Sequence, residues 1–140
     1  MSAFIEQHFV PSQAHVKEQG PVFHRLNVLW TPTVLILDSS GVERRRSEGY
    51  LSREEFLAEL HLGLARVAFI RKQWSEAEQF CDKVIERLPK TLGAAEAIYW
   101  RGVSRYKRTN DHTELPKIAA EFERQHQQTI WAMKASIWRQ

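Results

Sequence analysis

Residues 26–60 read LNVLWTPTVLILDSSGVERRRSEGYLSREEFLAEL, and the character of the chain changes within them. Thr31-Pro32-Thr33 leads into a continuous apolar run at 34–37, the pattern of a strand buried on both faces. Ser39-Ser40-Gly41 supplies a tight turn, and 42–50 returns as a second strand. Strand alternation puts Arg44 and Arg46 on one face of it and Arg45 on the other. The expectation is a hairpin with a charged edge, its three arginines forming a solvated border that resists aggregation. Ser52-Arg53-Glu54-Glu55 then has the form of a capping box: the Ser52 hydroxyl accepts from the Glu55 amide while the Glu55 carboxylate reaches back to the Ser52 amide. A helix is predicted from there to Gln73, with Phe56, Leu60, Leu64 and Val67 along its apolar face.

Upstream of this stretch, short apolar runs are punctuated by Pro and Gly. Residues 9–17 alternate loosely around Val10, Ala14 and Val16 and are predicted as a strand whose start is weakened by Pro11. Residues 20–27 leave room for two helical turns. Downstream the periodicity is helical throughout. Ala77, Phe80, Cys81, Val84, Ile85 and Leu88 follow the spacing of one helix face until Pro89 stops the run, and Ser75 with Glu78 offers a second capping box. Further helices are predicted over about 94–108, over 116–125 with Ile118, Ala119 and Phe122 inward, and after Thr129. Thr91, Ala94, Ala97 and Trp100 match Thr129, Ala132, Ala135 and Trp138 at a constant offset of 38, a period in the range of stacked helical hairpins. The fold class is therefore α/β first, then all-α.

Composition bounds the chemistry. In 140 residues, 43% hydrophobic content suffices for a core, and a net charge of +3 in a mixed surface gives little reason to expect nucleic acid. No strictly apolar run is longer than the four residues of 34–37, far too short to span a membrane, and Glu6 interrupts any secretory signal, so a soluble, cytoplasmic protein is expected. Cys81 is the single cysteine, which leaves the chain without an internal disulfide, a CxxC pair or a cysteine zinc site of its own. It falls in an apolar helix stripe, where a free cysteine acts as a small hydrophobe. The six histidines show no HxH or HExxH spacing, so no metal is expected, and no glycine-rich phosphate loop or nucleophile elbow is present.

Asn27-Val28, Thr31-Pro32-Thr33, the buried run at 34–37, Gly41, Gly49 and the amphipathic helix after Ser52 resemble the second half of the thioredoxin fold. That resemblance spans about residues 4–60 and implies a cis Pro32, with Trp30, Thr31, Pro32 and Thr33 forming a peptide-binding loop in which Thr31 offers backbone hydrogen bonds to an extended segment. The chain departs from the family in carrying no central strand followed by CxxC, because it opens where the family ends its active-site helix. In the thioredoxin order that strand lies between the segments at 9–17 and 34–37. Its absence implies that these strands pair directly, that a dimer exchanges elements, or that a partner completes the sheet. Beyond it, Ala77, Pro89, Gly102 and Tyr106 are similar to tetratricopeptide repeats, with Ala68, Arg105 and His126 departing from that pattern.

The expected organisation is a thioredoxin-like segment at 1–60, lacking the first strands and CxxC, and a tetratricopeptide-like helical region at 61–140. The expected function is non-catalytic binding of a protein or peptide, in a chaperone-like or assembly role and as a homo-oligomer or with a partner-completed sheet. No cofactor is expected, and neither membrane nor nucleic acid is the expected partner. The alternative is an oxidoreductase whose catalytic cysteines lie upstream of Met1. Arg101, Arg105 and Arg108 form a helical stripe that, with Trp100, is a second candidate interaction surface. Trp74, Trp100, Trp131 and Trp138 are expected as interhelical anchors.

Overall fold

The computed structural model describes residues 1–140. In chain order the elements are α1 (Ser2–His8), α2 (Gly20–Arg25), β1 (Thr33–Leu37), β2 (Glu43–Glu48), α3 (Arg53–Ile70), α4 (Trp74–Arg87), α5 (Gly93–Thr109), α6 (Glu114–Arg124) and α7 (Ile130–Ala135), followed by a 3₁₀ turn at Ser136–Trp138. The strands form a two-stranded sheet, and the rest is helical, in keeping with an α/β start and an all-α continuation. Contacts divide the chain into two units, one comprising Met1–Val34 with Arg46–Tyr50 and the other Leu35–Arg45 with Leu51–Gln140. The helix that follows the hairpin, α3, lies wholly in the second unit.

The first unit has no fully buried residue. Phe4, Ile5, Phe9, Val22, Phe23 and Leu26 are all half-buried. The strand predicted over 9–17 does not form. Phe9 ends α1, Val10 stands open to solvent, and the chain turns back where the His15 amide donates to Gln19 Oε1 at 2.8 Å and the Gln19 amide to the His15 carbonyl at 2.8 Å. A loose alternation becomes a strand only when another strand pairs with it, and Pro11 removes one of the few donors available. The two helical turns expected at 20–27 are present as α2, with Pro21 in the first turn where its missing N–H is harmless.

The second unit contains the core. One buried cluster joins Ala58, Leu62 and Ala65 of α3 to Cys81 and Val84 of α4, with Ala97 of α5. A second joins Ala95 and Ile98 to Ile118 and Phe122 of α6 and to Ala132 and Ala135 of α7. The run on α4 packs as its spacing predicts. On α3, Leu60 is buried as expected, but Phe56, Leu64 and Val67 are half-exposed, and Ala58, Leu62 and Ala65 make the contact with the core cluster. Small residues allow close approach here: Gly63 lies against the Ile36 side chain and Gly102 against Ile118, with no room for a methyl group at either.

Only half of the first capping box forms. The Ser52 hydroxyl accepts from the Glu55 amide at 3.2 Å, but Glu55 Oε1 accepts from the Leu92 amide at 2.8 Å, fastening the start of α3 to the residue before α5. The second box does not form. Gln73 precedes α4 without a side-chain cap, and Glu78 turns to arginines on α5. The repeated motif has a structural counterpart. Thr91 and Thr129 each donate to the carbonyl three residues back, at 2.7 Å in both cases, and all four alanines are buried.

Candidate functional site

The loop before β1 is built from its own backbone. Asn27 adopts φ 53°, a left-handed conformation that asparagine tolerates, and the Val28 amide donates to the Phe23 carbonyl at 2.9 Å. The Arg46 guanidinium donates to the carbonyls of Leu26 and Asn27, holding the turn from β2. The Thr31–Pro32 peptide is cis, as expected. The Pro32 carbonyl accepts from the Gly49 amide at 2.7 Å, and Gly49 itself has φ 93°, which a side chain would strain. Thr33 Oγ1 donates to the Trp30 carbonyl at 2.6 Å. Within this frame Thr31 is exposed, and its backbone N–H and C=O take part in no hydrogen bond.

Large apolar side chains around this loop face water. Leu29 is 84% exposed, Trp30 67% and Tyr50 85%, the last following directly on the glycine bonded to Pro32. The arrangement offers the unpaired backbone of Thr31 flanked by exposed apolar side chains. The single thiol, Cys81, is fully buried on α4. Burial there, with Asp82 and Glu96 adding to it, pushes the thiol well above its usual range, so it stays protonated.

The second candidate surface is engaged within the molecule. Arg101 Nη2 donates to both carboxylate oxygens of Glu121 of α6, at 2.8 and 2.9 Å, and its Nη1 reaches Asp82 of α4 at 3.4 Å. Arg105 and Arg108 both bond to Glu78. Trp100 packs between Phe69, Tyr99 and Trp131, with ring centroids 5.2 to 6.5 Å away. These side chains join α4, α5 and α6, while Arg105 and Arg108 keep part of their length in water. The other expected anchors join the same cluster: Trp74 meets Phe69, and Trp131 and Trp138 both meet Tyr99.

The arginines of β2 depart furthest from expectation. The predicted alternation of faces holds, but the border is not simply solvated. Arg44 bonds to Asp38 Oδ2 at 2.8 Å, while Arg45, mostly covered, lies between two carboxylates. Its Nε and Nη2 donate to Glu59 at 2.7 and 2.8 Å, and its Nη1 and Nη2 to Glu96 at 2.7 and 2.8 Å. Burial opposes the Arg45 charge, but the hydrogen bonds to Glu96 and Glu59 outweigh it and raise its pKa further. This triad and the buried hydroxyl of Ser104 are absent from the sequence-based expectations. The available signal is the spacing of Glu96, Trp100 and Ser104, which places two polar groups on one face of α5 at i, i+4 and i+8.

No group of His, Cys, Asp and Glu side chains is arranged to hold a metal ion, and no helix is long and apolar enough to cross a membrane. No family model, curated protein or solved structure matches the chain.

Proposed function

We propose that this chain is a non-catalytic protein- or peptide-binding module, a thioredoxin-like segment followed by tetratricopeptide-like helices, and that the loop at Trp30–Thr33 takes an extended segment of its partner. The observation that carries the reading is the unpaired backbone of Thr31 between exposed apolar side chains. A peptide laid beside it gains main-chain hydrogen bonds there, while Leu29, Trp30 and Tyr50 supply apolar contact for its side chains. The lack of any buried residue in the first unit supports the same reading, because its half-buried apolar groups have more area to lose to a partner.

The test is binding of the full chain to an array of extended peptides, repeated with Trp30→Ala and Tyr50→Ala. Both side chains are exposed, so the variants should unfold within about 0.5 kcal/mol of the parent. Removing an aromatic anchor at a binding centre costs about 2 kcal/mol, which weakens binding roughly thirtyfold. Unchanged affinity in both variants would remove the loop from the reading. Disulfide reductase activity abolished by Cys81→Ser would overturn the non-catalytic assignment altogether.

A further inference from the structure

Within the second unit, α3, α4 and α5, with Arg45 of β2, frame a partly open cavity of about 170 Å³. Leu62, Ala65 and Phe69 of α3 and Trp100 of α5 give it apolar walls, and Cys81 of α4 also lines it. The fully buried Ser104 is among the lining residues, and its Oγ has no hydrogen-bond partner. A serine inside a helix ordinarily satisfies itself on the carbonyl one turn back, and this one does not. A buried hydroxyl left in that state carries a penalty that a ligand relieves by pairing with it.

Size and charge narrow the ligand. An apolar cavity of about 150 Å³ accepts benzene, so this one has room for a six-membered ring and a small substituent. The substituent should be neutral. Arg45 and Glu96 line the cavity, but Arg45 already gives four of its N–H groups to Glu59 and Glu96, so a carboxylate would find that cation taken. Arg66 also lines it but is exposed, which leaves its charge in water. We propose that the cavity binds a small aromatic molecule bearing a hydroxyl group, a phenol-class ligand whose ring packs on Phe69 and Trp100 and whose hydroxyl pairs with Ser104 Oγ. Every lining residue belongs to the second unit, so the proposal does not draw on the loop at Trp30.

The test uses the full chain with phenol and benzene as probes, read by saturation-transfer NMR of the ligand and by the backbone amide shifts of Trp100 and Ser104. Phenol should bind saturably and about tenfold more tightly than benzene, the value of one hydrogen bond to an otherwise unsatisfied group. Ser104→Ala, a change that favours the helix, should keep the fold and bring the two probes to equal affinity. Ala65→Leu, which adds bulk to the cavity wall, should abolish binding of both. If Ala65→Leu fails to fold, the Ser104→Ala comparison decides alone. The proposal is overturned if phenol does not saturate, if the parent binds phenol and benzene equally, as it would were a water satisfying the hydroxyl, or if the preference survives Ser104→Ala.

Discussion

Arg45 shows how one side chain can hold distant parts of a fold together. A single guanidinium meets two carboxylates, so the group carries one excess negative charge, and all three side chains are largely covered. Arg45→Met would leave Glu59 and Glu96 facing each other without their cation, and the expected loss is about 3 kcal/mol in urea unfolding. Replacing all three together, Arg45→Met with Glu59→Leu and Glu96→Leu, should recover most of that loss, because the penalty comes from uncompensated charge rather than from a missing attraction. Asp38 gives the corresponding pH effect. The Val42 amide is the largest influence holding its pKa below the usual 3.8, burial opposes it, and Arg44 and the Ser40 amide add to the lowering. Its folded value is therefore the lower one, so its contribution is complete above about pH 4 and is lost as pH falls through the folded pKa. NMR of the Ser40 and Val42 amides should show this acid step in the hairpin, and Asp38→Asn should remove it.

Among the elements, the approach of α6 to α5 depends on Gly102. A glycine-to-alanine change inside a helix usually gains about 1 kcal/mol, but a methyl at 102 would overlap Cγ1 and Cδ1 of the buried Ile118. Overpacking should win, so Gly102→Ala is expected to destabilise by about 1–3 kcal/mol in chemical denaturation. Combined with Ile118→Ala it should cost less than the two changes summed, since each makes room for the other. The same elements show what a sequence can reveal. The α4 run from Ala77 to Leu88 was legible because a helix carries its core pattern within a few turns. The cis Pro32 was legible too, through the resemblance of the surrounding residues. The strand at 9–17 was misread because pairing is decided by what lies alongside, and nothing local encodes that. The alternation of Arg44, Arg45 and Arg46 was read correctly, yet the partners of Arg45 lie 14 and 51 residues away, beyond the reach of any periodicity. Glu55 and Glu78 fit capping boxes by spacing but bind distant groups instead, because stronger or better-placed donors reach them in the folded chain.

For the whole molecule, the two units should differ in stability. The first has no fully buried residue, whereas the second holds two core clusters, so amides of α1 and α2 should exchange with solvent far faster than those of α3, α4 and α5. Hydrogen exchange followed by mass spectrometry measures this directly, and equal protection in both units would contradict it. Light scattering across a dilution series tests whether copies of the chain complete one another. If they do, the mass should approach twice 16.4 kDa at high concentration, and protection of α1 and α2 should rise in step. A constant monomer mass would count against completion of one copy by another.

The aromatic cluster also divides the protein's light emission. Trp74, Trp100, Trp131 and Trp138 are linked through Phe69 and Tyr99 at centroid separations of 4.9 to 6.5 Å, close enough for excitation to pass among their rings before it is emitted. Trp30 stands mostly in solvent and should emit at the red end of the spectrum. Colour and polarisation thus give separate signals from one chain: a blue shift would mark coverage of Trp30, and a rise in anisotropy would mark loosening of the helical aromatic cluster.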